Sequence, residues 1–212
     1  MSIVDPPPTE VRPVALRRPA LPDPQGMQVL LDQVEQSGGT VMVIPNSAPD
    51  VARSAAVVAA TGHDLQTDAA ISTAVALARQ EGRPLILAHI WAMPDLGEVQ
   101  LPPDRWLMGS IPDGQQRALA LLAARIRQDS PDLVVGLEVR QSRSVSRELA
   151  AISQGAAAIV VGRRRSRSGH GRLGRTARGV IEQADCPIIV VGQRPRDLRP
   201  WPLDRAEMRL SP

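Results

Sequence analysis

The sequence predicts an α/β fold, a five-stranded parallel sheet with helices on both faces, preceded by a helix–strand extension. Three observations predict it. Short apolar runs alternate with amphipathic helical patterns from Ser54 to Gly192. The connections are mostly short, so successive strands lie parallel through right-handed crossovers. The apolar residues are almost wholly Ala, Val, Ile and Leu, with Phe and Tyr absent and 3 Trp, a composition suited to parallel strands buried under helices.

The elements follow in order. Residues 1–25 hold seven prolines and no apolar periodicity, and read as a flexible Pro/Arg-rich arm. Residues 26–53 read as an extension and linker: MQVLLDQVEQSGG is a short helix stopped at Gly38-Gly39, and TVMVIP, Thr40–Pro45, is a strand stopped by proline. The regular domain spans residues 54–192. SAAVVAAT is its first strand and ends in the turn Thr61-Gly62-His63. Asp68 caps a helix whose apolar face carries Ile71, Val75 and Ala78, and Gly82 closes it. PLILAHIW is the second strand; the irregular stretch after it reads as a lid or a surface crossing. A helix from about Gln115 to Gln128 carries Leu119, Leu122 and Ile126. DLVVGLEVR is the third strand, Ser144 caps a helix with Val145, Leu149 and Ile152, and AAAIVVG is the fourth strand. A helix near Thr176 to Ala184 leads to the fifth strand, CPIIVVG. Residues 193–212 form a Pro/Arg-rich tail.

Charge narrows the function classes. The net charge is only +3 although the pI is about 10.6. All 25 basic residues are Arg, whose charge does not titrate until very high pH, so the pI alone says little about nucleic acid. The local distribution says more. Gly155 to Ile181 contains no acid and seven arginines, at 163, 164, 165, 167, 172, 175 and 178. Yet no aromatic residue is interleaved for base stacking, and no helix-turn-helix or zinc spacing is present, so nucleic acid is the disfavoured partner. No window reaches the roughly 18 apolar residues that span a bilayer. Cys186 is the only cysteine, which excludes an intrachain disulfide and fits a reducing compartment. The expected setting is cytoplasmic.

The stretch AAAIVVGRRRSRSGHGRLGRTARGVIEQADCPIIVVG resembles the C-terminal signature of the universal stress protein family: apolar strand, glycine-rich loop, helix, and a small-Pro-led apolar strand. SAAVVAATGHDLQTDAAISTAVALARQEGRPLILAHIW resembles the family's first strand, helix and second strand, with His89 where the family often has a histidine. The resemblance covers about residues 54–192. It implies the strand order 3-2-1-4-5, a stress-response regulatory or sensor role, and ATP or another adenine nucleotide as ligand.

The ligand motif is altered. ATP-binding members carry Gly, two residues, Gly, nine residues, Gly, then Ser or Thr. Gly162 fills the first position, Arg165 stands at the second, Gly174 falls at the third, and Arg175 stands where a hydroxyl is expected, with Thr176 one residue late. Thr61 takes the place of the Asp that usually ends strand one and faces the nucleoside. Such pockets rest on backbone amides at a helix N-terminus pointing at phosphate. Arg175 there opposes the helix dipole at a cost of about 0.3–1 kcal/mol, which a bound phosphate reverses. Two readings stay open. In one, Thr61, Gly62, His63, Ile90, Val161, Gly162, Arg165, Gly174, Arg175 and Thr176 bind nucleotide, with guanidinium contacts replacing amide ones. In the other, the pocket is lost and the arginine loop grips a protein.

The remaining single residues have structural explanations. Cys186 precedes a buried strand and reads as packing; three scattered histidines and one cysteine give no metal spacing; no nucleophile–base constellation is present, so catalytic residues are none and the chain is not expected to be an enzyme. For assembly, Cys186–Gly192 is expected at a sheet edge, and apolar edges must be covered or paired. The resemblance implies pairing with the same strand of a second subunit. QVLLDQVEQSGGTVMVIP shares the helix, small-residue turn and apolar strand plan of GVIEQADCPIIVVG and resembles a remnant of a preceding tandem domain. Thr40–Pro45 therefore caps the edge in its own chain or swaps onto a partner; a homodimer with Thr40–Pro45 as an added strand is the expectation.

Overall fold

Short β-branched runs and capped amphipathic segments set the elements. The computed structural model describes residues 14–20, 22–37, 39–46, 52, 55–62, 69–92, 107–163 and 173–192, with backbone alone at 92 and 107–113. In chain order they are β1 (Val14–Arg17), α1 (Pro24–Gln36), β2 (Val41–Ile44), β3 (Ala56–Ala60), α2 (Ala69–Gln80), β4 (Leu85–Ala92), α3 (Leu107–Asp129), β5 (Val135–Ser142), α4 (Val145–Ser153), β6 (Ala156–Gly162), α5 (Arg175–Gln183) and β7 (Ile188–Val191).

Local chemistry explains several boundaries. Asp23 caps α1, its Oδ1 accepting from the Gly26 N–H at 2.8 Å, and Pro24 follows at the first helical position where its missing N–H costs nothing. Ser144 caps α4 as expected, accepting from the Arg147 N–H at 3.4 Å. Gly82, at φ +59°, ends α2 in the left-handed conformation that glycine adopts without a Cβ penalty. Asp68, the expected cap of α2, lies outside the described residues.

β3 to β7 pair in parallel in the order β5-β4-β3-β6-β7, the expected 3-2-1-4-5. The sheet corrects the expectation of five parallel strands: among the described residues it has seven strands and is mixed, in the order β1-β2-β7-β6-β3-β4-β5. The single antiparallel pairing is β2 with β7, Met42 opposite Ile189. β7 is therefore an interior strand, covered by Val41–Ile44 of its own chain. β1, parallel to β2, stands within the residues read as a flexible arm. The prolines around Val14–Arg17 hid a four-residue strand too short to show periodicity; residues 1–13 and 193–212 lie outside the described residues. α3 starts before the expected Gln115 and runs through Pro112 and Gly114, which read as breakers, because propensity is a weak prior that tertiary packing overrides.

Strand alternation splits the core between the two faces of the sheet. Met42, Val57, Ala59, Leu87, Val160 and Ile189 pack on one face against α2 and α3, through Ile71, Leu77, Leu119 and Ile126. Val43, Val58, Ile159, Ile188 and Val190 pack on the other against α1, α4 and α5, through Leu31, Val34, Leu149, Val180 and Ile181.

Candidate functional site at the carboxyl ends of the strands

Ligands on open α/β sheets bind beyond the carboxyl ends of the strands where the strand order reverses. Here that place lies between β3 and β6. The register sets Ala60 beside Ala88 of β4 and Ala59 beside Val160 of β6, so Thr61, Gly62, Ile90, Val161 and Gly162 meet at one end of the sheet. Gly62 and Gly162 are exposed.

Ile90 and Val161 are buried in one apolar cluster with Leu173 and Ala177. The start of α5 thus shares its apolar cluster with the ends of β4 and β6. Gly174 is the N-cap of α5, in extended conformation, with no side-chain hydrogen bond to the first turn. Its carbonyl accepts from the Arg178 N–H at 3.0 Å, and as a glycine it offers the amides at the helix start no capping side chain of its own. Arg175 is exposed and Thr176 half-buried. α1 differs in this respect, since Asp23 closes its N-terminus.

Thr61 faces the sheet. Its N–H donates to the Ala88 carbonyl at 2.8 Å, its hydroxyl donates to the same oxygen at 3.2 Å, and Oγ1 lies 3.2 Å from His89 Nδ1. Both residues are buried, at 8% and 2% exposure. The strand register sets Thr61, Gly62, Ile90, Val161 and Gly162 at one end of the sheet, and Gly174, Arg175 and Thr176 open the helix that follows β6; His63 and Arg165 lie outside the described residues. What the arrangement can do chemically is hold an anion at the amides of a helix start beside aliphatic strand ends.

Cys186 is buried, and burial pushes its thiol up to about 12, so it packs as a small apolar residue. Among the described residues no three His, Cys, Asp or Glu gather to hold a metal. No helix among them is long and apolar enough to cross a membrane.

Sequence reasoning missed two features. A cavity of about 410 Å³ opens at the amino ends of β4 and β5, lined by Arg79, Arg83, Pro84, Asp129, Asp132 and Leu133. It lies at the end of the sheet away from the strand carboxyl termini, and its two turns carried only ordinary turn residues. Arg18 and Arg163 are the second feature. Both are drawn down from the usual arginine range by burial, and each grips helix-end carbonyls. The signal for them was the internal likeness between the extension and the last helix and strand.

Comparison with known proteins agrees with this architecture. The universal stress protein UspA from Lactobacillus plantarum is similar at TM-score 0.54 and 18% identity, over 66% of this chain and 99% of that one. A protein of unknown function from Pseudomonas aeruginosa is similar at TM-score 0.53 and 16% identity, over 84% of this chain and 62% of that one. A universal stress protein from Archaeoglobus fulgidus, solved in complex with dAMP, is similar at TM-score 0.46 and 18% identity, over 66% of this chain and 99% of that one. None of the curated proteins matches the chain. The sequence pattern of the universal stress protein family matches residues 55–192, the span of the parallel α/β unit, and the chain belongs to that family.

Proposed function

We propose that this protein is a stress-response regulatory or sensor module of the cytoplasm that binds ATP or another adenine nucleotide and catalyses no reaction. The observation that supports it most directly is the start of α5, where Gly174 supplies no side-chain cap and Leu173 is buried in the same apolar cluster as Val161 and Ile90. Free amides at a helix N-terminus favour phosphate. Exposed Gly62 and Gly162 leave room for close approach to the strand ends. Arg175 stands at the first turn with its charge available to a phosphate, and the adenine-ribose part rests over Ile90 and Thr61.

A second reading has its own observation. The Thr61 hydroxyl is spent on Ala88 and His89, where ATP-binding relatives present a carboxylate to the nucleoside. On that reading the pocket is lost and the arginine loop contacts a protein.

One measurement separates them. The purified protein is denatured and assayed for released nucleotide, and the native protein is melted with ATP, AMP and cyclic AMP. A nucleotide at 100 times its dissociation constant adds about 2.7 kcal/mol of stability. Released nucleotide or a shift of that size supports the proposal; neither leaves the interaction-module reading standing.

A further inference from the structure

Residues 34–44, VEQSGGTVMVI, and 181–191, IEQADCPIIVV, align without a gap. The structure turns this likeness into an axis. β2 and β7 run antiparallel with Met42 opposite Ile189; β1 flanks β2 in parallel on one side and β6 flanks β7 in parallel on the other. A half-turn about the Met42–Ile189 pair carries Val41 onto Ile188. Val14 stands beside Val41 and Ile159 beside Ile188, so the same half-turn carries Val14 onto Ile159 and Arg18 onto Arg163.

The hydrogen bonds obey the same operation. The Arg18 N–H donates to the Ile44 carbonyl at 2.8 Å and the Arg163 N–H to Val191 at 3.3 Å. The Arg18 guanidinium crosses the axis to the end of α5 and donates to Ile181 O at 3.3 Å, Glu182 O at 3.3 Å and Ala184 O at 2.6 Å. The Arg163 guanidinium crosses the other way to the end of α1. It donates to Val34 O, to Glu35 O at 3.4 Å, to Ser37 Oγ at 2.9 Å and to Gly39 O at 3.3 Å. Val34, Glu35 and Ser37 are the counterparts of Ile181, Glu182 and Ala184. Each cation sits at the negative end of the other unit's helix.

The differences between the units have one pattern. Gly179 lies against Ser146 of α4, whereas its counterpart Asp32 is exposed, with no helix against it among the described residues. The start of α5 is bare and that of α1 is closed by Asp23. What faces the axis is kept; what would face a neighbouring helix or a ligand is not.

We infer that β1–α1–β2 is a half-unit whose role is to occupy, within the chain, the surface of β7 and α5 that would otherwise receive the same unit of a second copy. The chain is thereby a pseudo-dimer folded from one polypeptide. The Pseudomonas aeruginosa match supports this. Residues 55–192 are about two thirds of the chain, so a similarity over 84% of it reaches into residues before 55 even with the whole tail counted.

The test uses the full-length chain. Met42 and Ile189 are opposed in the ladder and belong to one core cluster, so cysteines there meet. A Met42→Cys, Ile189→Cys variant with Cys186→Ala is oxidised mildly and run without reductant. The expected product is a disulfide within one chain. Disulfide-linked dimers would mean that β2 swaps onto a partner and would overturn the inference. The wild-type chain provides the second measurement. Amide exchange at Val41–Val43 and Ile188–Val191 is expected to be slow and unchanged across a hundredfold range of protein concentration. Protection that rises with concentration would show a second copy on β7 and would also overturn it.

Discussion

Thr61 Oγ1 lies 3.2 Å from His89 Nδ1, joining the end of β3 to the buried interior of β4. The hydroxyl stands within hydrogen-bond distance of both the Ala88 carbonyl and His89 Nδ1, so it is turned into the sheet. The bond holds the strand end; the hydroxyl is not presented to a ligand. Thr61→Val is therefore expected to lower unfolding stability by about 1–3 kcal/mol, the cost of stranding a buried polar partner. Nucleotide affinity is expected to stay within about twofold of wild type. A denaturant midpoint and a binding isotherm on the same variant check both halves, and a large loss of affinity without a loss of stability would show that the hydroxyl is a ligand contact after all.

Gly174 offers the converse separation. α1 shows what a carboxylate does at such a place, where Asp23 takes the Gly26 amide. Gly174→Asp should likewise cap α5 and raise stability by a few tenths of a kcal/mol. The same carboxylate would fill the anion site and repel phosphate, so nucleotide binding should fall by an order of magnitude or more. Equal affinity in wild type and variant would move the ligand away from α5.

The legible parts of this molecule were those set by periodicity and by turn chemistry. The five core strands, the Ser144 cap and the Gly82 stop follow from local residues, and the parallel order followed with the family. The candidate site was legible only as topology, since strand ends and the start of the helix after β6 lie at the same end of any such sheet. β1 was not legible. Its four residues sit among prolines, and its stability comes from pairing with β2 and from Arg18 gripping the end of α5, which lies more than 160 residues away in sequence. The side of Thr61 that faces the sheet was equally hidden, because nothing local tells a strand-end hydroxyl to turn inward.

Gly179 packs tightly against Ser146 where α4 meets α5. A Cβ built there would stand 2.7 Å from both Cβ and Oγ of Ser146. The hydroxyl can rotate away, but the Cβ cannot. Gly179→Ala gains about 1 kcal/mol of helix propensity and meets an overpacking cost of about 1–3 kcal/mol. The net expectation is a loss of up to about 2 kcal/mol, recovered in part by Ser146→Gly in the double variant. Thermal melts of the two single variants and the double one decide it; a stabilised Gly179→Ala would mean that the helices separate without penalty.

Cys186 gives a clean alkaline prediction. Its thiol ionises near 9.0 when free and is pushed up to about 12 by burial. Below the lower value it is protonated folded and unfolded alike. Above it the unfolded chain loses the proton first, so the stability this group contributes falls as pH rises from about 9 towards 12. The chain has no Lys and no Tyr, the side chains whose ordinary ionisation falls within that window. Denaturation between pH 9 and 11 should show declining stability in wild type and a flatter profile in Cys186→Ala. In the native protein at neutral pH the thiol should resist alkylation until the chain unfolds. Rapid labelling under native conditions would contradict its burial.

Arg18 and Arg163 fasten the same pair of helices from opposite sides. Arg18 is buried and donates to three carbonyls; replacing it with Met leaves them without that donor, at a cost of about 1.5–3 kcal/mol. Arg163 is more exposed, and water can replace part of what it supplies, so Arg163→Met should cost less. The two losses should not add. Once one clasp is open, the N-terminal half-unit detaches as a whole more readily, and the second clasp has less left to hold. The double variant is expected to fall short of the sum by at least about 0.5 kcal/mol, the size of coupling found between residues that share a network. Amide exchange should locate the effect, with Val41–Ile44 and Ile188–Val191 opening faster and the β3 and β4 amides keeping their wild-type rates. Strict additivity, or exchange that quickens equally across the sheet, would mean that the two arginines stabilise the fold independently rather than as one fastening.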